Sequence, residues 1–315
     1  MKRFFKWLGI IVLVVVVIAG LFFGYTFYKL NKMQHAADVN MENVELTKKP
    51  FSVVLMGLDT SIKRSEKYGN TARTDALMVA TVSPHTGYVS LLSIPRDTYV
   101  YQPMRGISDK INHAFAFNKE EGTLITLSNW LDENFQFFVT IDFNGFMEVI
   151  DAIGGIEVDV PVEIREQNSK DVAGAIHIKP GLQTLNAEEA LALVRMRKAD
   201  TDAQRGQRQM LVIQALTKKL LSASSIPAYP KIMDVASRNI KTNIPIKDAA
   251  LLGFNWFRKN INVNFETFQI KGSDTRMGGI YYYLPDQNSV EEQKARIKAE
   301  LEGSKDSTET SESKE

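Results

Sequence analysis

Residues 75–97, DALMVATVSPHTGYVSLLSIPRD, contain two apolar runs separated by a turn, and the way these runs pair decides the fold. Residues 76–82 and 88–94 are rich in Val, Leu and Ile and have the length of strands. Between them, Ser83-Pro84-His85-Thr86-Gly87 places proline early and glycine last, as a chain reversal requires. Two strands on so short a loop form an antiparallel hairpin. Pairing Val82 with Tyr88 sets Asp75 opposite Pro95, beside Arg96 and Asp97. The apolar run 51–56, closed by Gly57, reads as a buried strand; antiparallel to the second run, it delivers Asp59 to the same edge. Asp59, Arg73, Asp75, Arg96 and Asp97 then converge at one end of a sheet, where loops commonly mount binding groups.

Downstream, helical and extended patterns alternate. Residues 123–134 read as a helix, 137–141 as a strand, and 145–153 as a helix stopped by Gly154-Gly155. Residues 156–160 alternate apolar and acidic, as a half-exposed strand does, and 174–181 read as loop and short strand, in the manner of another hairpin. Asn186 followed by Glu189 forms a capping-box pattern for a helix through Leu193. A further helix starts near Asp202 and spaces Met210, Ile213, Leu216 and Leu220 as a core-facing stripe. Residues 289–301 form a short polar helix with Glu291 and Glu292 early in it. This order predicts an α/β domain with a mixed central sheet flanked by helices.

Upstream lies a different kind of segment. Residues 8–27 run twenty positions without a charge, and a helix of that length rises about 30 Å, enough to cross a bilayer core. Trp7, Tyr25 and Tyr28 flank it at headgroup level. A cleaved signal peptide would be shorter and followed by a small-residue site, whereas here Lys29-Leu30-Asn31-Lys32 follows. Lys2, Arg3 and Lys6 precede the span and Lys29 and Lys32 follow it, a slight bias toward an inside N-terminus. The expected organisation is a cytoplasmic segment 1–7, a transmembrane helix 8–28, a stalk 29–49, an extracytoplasmic domain 50–288, a helix 289–302 and a disordered polar tail 303–315.

Composition narrows the chemistry. The 315 residues carry a net charge of +1, which gives no global field for nucleic acid. With no cysteine there is no disulfide, thiolate metal site or cysteine nucleophile. The four histidines show no metal-ligand spacing, and neither a G-x-S-x-G elbow nor a P-loop is present. His113 reads as structural. What stands out is Arg195, Arg197, Asp202, Arg205, Arg208 and Gln209. Four arginines within fourteen residues repel one another unless an anion sits among them, and the guanidinium fork suits phosphate. The competing reading is a surface helix whose arginines pair with carboxylates. Asp59 and Asp75 could hold a hard divalent cation completed by phosphate oxygens, or could each cap a turn.

Taken in order, Gly57-Leu58-Asp59, Arg73-Thr74-Asp75, Ser93-Ile94-Pro95-Arg96-Asp97, Lys110-Ile111-Asn112, Gly154-Gly155 and the block from Arg195 to Gln209 resemble the LytR-CpsA-Psr family of cell-wall enzymes. The resemblance covers about residues 50–223, and residues 281–286 look like the family's terminal strand. It implies a membrane-anchored phosphotransferase of a Gram-positive-type envelope. Such an enzyme moves teichoic acid or capsular polysaccharide from an undecaprenyl-pyrophosphate carrier to a muramic acid hydroxyl of peptidoglycan. It further implies Mg2+ (or Mn2+) on Asp59 and Asp75, and a phosphate clamp of Arg73, Arg96, Arg195, Arg197, Arg205 and Gln209. Asp75 or Asp97 would orient the hydroxyl or take its proton, and an apolar groove would hold the polyprenyl tail. Residues 115–131 and 135–150 are the groove candidates, against ordinary core packing. The expected partners are the lipid-linked glycan, peptidoglycan and membrane lipid, with no nucleic acid. The alternatives are a polyprenyl-pyrophosphate-binding pyrophosphatase and a non-catalytic envelope regulator. The second is disfavoured by a cytoplasmic part too short for a DNA-binding module.

Overall fold

A computed structural model describes residues 45–59, 72–196 and 202–303. The predicted span, most of the stalk, Arg197 and all but the first residue of the tail lie outside these residues. Among the described residues no helix is long and apolar enough to cross a membrane. The elements in chain order are β1 (Phe51–Asp59), β2 (Arg73–Val82), β3 (Tyr88–Ser93), β4 (Tyr99–Gln102), β5 (Ile107–Lys110), α1 (Ile111–Leu131), β6 (Phe137–Asp142) and α2 (Phe143–Ile153). Next come β7 (Ile156–Val160), β8 (Ile164–Glu166), β9 (Ile176–Ile178), β10 (Gly181–Leu185), α3 (Ala187–Arg195) and α4 (Asp202–Leu221). After a 3-10 turn at Ala223–Ala228 follow α5 (Tyr229–Asn239), β11 (Ile240–Thr242), α6 (Ile246–Lys259), β12 (Asn264–Gln269), β13 (Gly272–Met277), β14 (Ile280–Pro285) and α7 (Gln287–Leu301).

Six strands form the central sheet in the order β11-β6-β1-β2-β3-β12. β1 is antiparallel to β2 and parallel to β6, so the sheet is mixed, as the sequence predicts. The expected hairpin is β2–β3, with its register moved by one: Val82 faces Val89, not Tyr88. The turn accounts for the shift. Ser83 N–H donates to Tyr88 O at 2.9 Å and Gly87 N–H to Ser83 O at 3.1 Å, so Ser83 and Tyr88 close the loop and Val82 takes the next partner. The same register carries Ile94 N–H to Leu77 O at 3.0 Å. Continued to the sheet edge, it sets Asp75 level with Arg96.

Alternation along β1 separates two layers. Val54 and Met56 join Leu77, Val79 and Leu92 against α1 and α7, where Phe115, Leu124, Leu127, Val290 and Ile297 are buried. The segment 115–131 is therefore core, and not a groove. α1 starts well before residue 123, at Ile111, and is kinked at Asn118 and Lys119. The polar helix at the C-terminus is docked: Asp286 caps it by accepting from Ser289 N–H, and Ser90 Oγ donates to Glu300 at 2.5 Å. On the opposite layer, Met78, Ala80, Val89 and Leu91 pack under Met210 of α4 and Trp256 of α6.

The predicted capping box at Asn186 and Glu189 is present on α3. Gly154 ends α2 in the left-handed region at φ 77°. The chain around 174–181 is divided: β9 pairs with β8, whereas β10 pairs with β7. β14 pairs with β13 in a two-stranded hairpin outside the central sheet, with one further bridge from Tyr283 to Thr98, and β12 supplies the sheet's outer strand by lying parallel to β3.

Candidate active site

The β1–β2 ladder changes register at its open end. Gly57 faces Ala76, but Leu58 faces Thr74, which leaves Asp75 as the extra residue of a β-bulge. Strict alternation would send Asp75 with Leu77 and Val79 toward α1. A bulge re-aims the side chain it carries, and Asp75 lies instead on the wall of a cavity with Ala76 and Met78. Asp59 lines the same cavity, and its partner across the ladder is Arg73.

Arg96 sits between two acids. Its Nη1 is 2.9 Å from Asp75 Oδ1 and its Nε 3.3 Å from Asp97 Oδ2. Lys110, at the end of β5, places Nζ 2.8 Å from Asp97 Oδ1. Asp75 and Asp97 are both buried, 7% and 6% exposed, so these are desolvated, charge-assisted contacts and stronger than surface pairs. Asp97 is held by two cations, and of this group Asp75 lines the cavity while Arg96 and Asp97 stand behind it. Beside this group His113 Nδ1 is 2.8 Å from Asp109, which Arg105 also contacts at 2.9 Å. Burial pushes His113 below its ordinary value despite the opposing pull of Asp109, and the positive charges of Arg73 and Lys110 add to the lowering. The contact with Asp109 fixes the ring through Nδ1.

The arginine cluster divides. Arg195, Arg205 and Gln209 line the cavity near Asp59 and Asp75. Arg195 closes α3, lies over the Phe143 ring at 5.3 Å, and has Nη2 3.7 Å from Asp171 Oδ1. Gln209 Nε2 donates to Val194 O at 3.5 Å, a weak restraint on that side chain. Arg208 leaves the cluster. It is buried, and it donates from Nε to Leu193 O at 3.1 Å and from Nη2 to Met196 O at 2.9 Å, tying α4 to the end of α3.

The cavity has a volume of about 510 Å³, within the range of small-ligand sites. Asp59, Asp75, Arg205 and Gln209 gather where β1 ends, β2 starts and α4 begins. The remainder is apolar, lined by Leu55, Val139, Ile141, Phe146, Leu216 and Leu220 among others. Of the two candidate segments, 135–150 lines this cavity, through β6 and α2. Ile213, Leu216 and Leu220 of α4, which their spacing assigns to the core, face this space, while Met210 alone of that stripe is fully buried. Lys110, Glu166 and Gln167 were not anticipated in roles at the site. Lys110 carried a signal in its place beside Ile111-Asn112; β8 offered none for Glu166 and Gln167.

Arginines at one end of a cavity otherwise lined mainly by apolar side chains suit an amphiphilic anion, with phosphate-type groups against the arginines and hydrocarbon along the apolar walls. Residues 21–299 match the LytR_cpsA_psr family, and the chain belongs to that family. It is 35% identical over 313 residues to the polyisoprenyl-teichoic acid–peptidoglycan teichoic acid transferase TagT of Bacillus subtilis, covering 96% of this chain and 95% of that protein. The corresponding transferase TagV of the same organism is 35% identical over 329 residues, covering 98% and 81%. A solved structure of TagT bound to LIIa-WTA superposes with a TM-score of 0.70 at 33% identity, over 85% of this chain and 96% of that one.

Proposed function

We propose that this protein is a membrane-anchored phosphotransferase. It would move a teichoic acid or capsular glycopolymer, with its phosphate, from a polyprenyl-pyrophosphate carrier to a muramic acid hydroxyl of peptidoglycan. The observation that carries this reading is that one cavity is lined both by Arg195, Arg205 and Asp75 and, farther along α4, by Leu216 and Leu220. That is the polarity sequence of a lipid pyrophosphate. The teichoic acid transferases to which the chain is similar support the same substrate class.

In the reaction the acceptor hydroxyl oxygen bonds to the phosphorus that bears the glycan. The bond from that phosphorus to the bridging oxygen breaks, and polyprenyl phosphate departs. Arg195, Arg205 and Gln209 would bind the pyrophosphate oxygens, with Arg197 and Arg73 from adjoining chain. Arg96 would neutralise charge as it builds up in the transition state, the part of phosphoryl transfer that proteins chiefly supply. Asp75, on the cavity wall, is better placed than Asp97 to orient the hydroxyl and take its proton. Asp97 then positions Arg96 and Lys110.

Asp59 and Asp75 offer hard oxygen donors on one wall, and among the described residues no cluster of three or more acidic or histidine ligands exists. That set suits Mg2+ (or Mn2+), which uses one or two carboxylates and completes its shell with water and phosphate. When bound, the ion would withdraw charge from the pyrophosphate oxygens. The span at 8–28 would hold the domain on the outer face of the cell membrane, where carrier and peptidoglycan meet.

The test supplies the full-length protein with polyprenyl-pyrophosphate-linked glycan and peptidoglycan oligomers, with and without Mg2+. Covalent glycan–peptidoglycan product that requires the divalent ion is expected. Phosphate release without attached glycan would replace this reading with a pyrophosphatase, and neither product would favour a non-catalytic role.

A further inference from the structure

α4 has a second apolar side. Leu216 and Leu220 face the cavity, whereas Leu211, Ala215, Lys218 and Leu221 line a surface groove completed by Phe254 and Phe257 of α6. α6 is likewise apolar on two faces. Leu252 and Trp256, four residues apart, point inward, and Trp256 Nε1 donates to Pro84 O at 2.8 Å, which fixes the helix's rotation. Leu251, Phe254 and Phe257 then project outward; Phe254 is 59% and Phe257 67% exposed. Leu221 and Ile226 extend the patch and are also exposed. Single exposed apolar residues are ordinary, but a contiguous patch with two phenylalanines marks a contact surface.

Charge identifies the partner. Segments 211–231 and 246–262 carry Lys218, Lys219, Lys231, Lys247, Arg258 and Lys259 against one acid, Asp248. Glu157 and Asp159 also face the groove, from β7 on its inner wall. Of these cations Lys218 lines the groove itself, and exposed aromatic and aliphatic side chains on helices with such an excess of lysine and arginine have the composition of a surface that lies in a bilayer interface and attracts anionic lipid. The path of the chain agrees. The described residues begin at Glu45, and Leu46 is fully buried in a cluster with Phe51, Val53 and Phe137 to which Leu252 of α6 packs. The first described residues therefore lie beside α6. Leu220 of the cavity and Leu221 of the patch are consecutive residues at the end of α4, so the hydrocarbon end of the cavity lies next to the same surface.

We infer that the outward face of α6, with Leu221 and Ile226, is an interfacial docking surface for an anionic lipid bilayer. It holds the apolar end of the cavity against the membrane, with the arginine end farther back along α4. This inference rests on the anchored-phosphotransferase reading for its geometry but not for its chemistry.

The chain has no cysteine, so single-cysteine labelling needs no background substitution. Full-length protein would be placed in nanodiscs of phosphatidylcholine with or without phosphatidylglycerol. A solvent-sensitive fluorophore would be attached at Phe254→Cys, Phe257→Cys or, on the remote β13–β14 hairpin, Ile280→Cys, and quenched by nitroxide-bearing lipid. The expected result is blue-shifted emission and several-fold stronger quenching at 254 and 257 than at 280, weakening when phosphatidylglycerol is omitted. Equal quenching at all three positions overturns the inference. So does a blue shift at 254 and 257 that lipid does not quench and that scales with protein copies per disc, since the occupant is then a second chain. Glycan transfer measured on the same discs separates the two readings. Transfer without selective quenching rejects the docking surface alone, and selective quenching without transfer supports it while rejecting the phosphotransferase.

Discussion

Arg96 and Asp75 meet at 2.9 Å because a bulge in β2 turns Asp75 off its strand alternation and the β2–β3 register sets it level with Arg96. The same guanidinium reaches Asp97, so one side chain links a strand end to the loop that follows β3. Arginine suits this position because its planar fork can serve two carboxylates at once.

Substitution at Arg96 should separate stability from chemistry. Arg96→Ala leaves two buried carboxylates with less compensation, and such a loss costs about 3–5 kcal/mol. Arg96→Lys keeps the charge, so its melting temperature should stay nearer the parent's. Its turnover should still fall about 10²–10³-fold, the usual effect of losing a preorganised donor to a transition-state oxygen. Thermal melting and glycan transfer on the two variants check both halves; an Arg96→Lys enzyme with parental turnover would remove Arg96 from the site.

Leu127 and Leu216 look alike in a helical pattern but should respond differently. Leu127 is fully buried between α1 and the sheet, and Leu127→Ala should cost about 2–5 kcal/mol through the void it leaves. Leu216 borders an existing cavity, so truncation there opens little new void. Leu216→Trp should fill the cavity and raise KM for a long polyprenyl donor about tenfold or more. A donor of one or two isoprene units should react as well as with the parent. Equal effects on both donors would show that the hydrocarbon lies elsewhere.

The three-strand start of the sheet was legible because apolar runs, turn residues and strand lengths agree there. The bulge was not: nothing in Arg73-Thr74-Asp75 marks an extra residue, and only the pairing of Gly57 with Ala76 and Leu58 with Thr74 exposes it. The stripe Ile213, Leu216, Leu220 shows that a helical period identifies an apolar face without saying what that face meets. Arg205 and Arg208 make the same point for charge. They are three residues apart on one helix, yet one lines the cavity and the other is bound to the carbonyls of Leu193 and Met196. β12 went unread because Asn264, Glu266 and Gln269 dilute its apolar positions.

Acid should act first through His113. Its folded value lies below 6.5, so the unfolded chain binds more protons between that value and 6.5, and stability falls as pH drops through this window. Asp109 also lies below its ordinary 3.8: burial alone would raise it, but hydrogen bonds from His113, Arg105 and the Lys110 N–H outweigh burial. Its contribution is present above 3.8 and is lost as pH falls further. Melting temperature against pH should thus be level above 6.5 and begin to decline below it. His113→Gln should abolish that first decline and, by removing one of the hydrogen bonds that lower Asp109, reduce the second; an unchanged profile in the variant would assign the first decline to another group.

Gly206 follows Arg205 at the start of α4, where the helix crosses the end of β3. A Cβ at this position would run into Ser93 Oγ and lie 3.1 Å from Gln269 Nε2. Helix propensity alone would favour alanine by about 0.5–1 kcal/mol. The contact opposes it, because Ser93 is buried and its backbone is fixed in the ladder opposite Met78. Gly206→Ala should therefore push the start of α4 off the sheet and carry Arg205 and Gln209 with it. Transfer activity should drop about tenfold, since sub-ångström to 1 Å displacements of positioning groups cost that much or more. Removing the obstructing hydroxyl in a Gly206→Ala, Ser93→Ala double variant should restore most of the loss, as coupling between touching residues requires. Activity that stays low in the double variant would mean that Gly206 matters for a reason other than this contact.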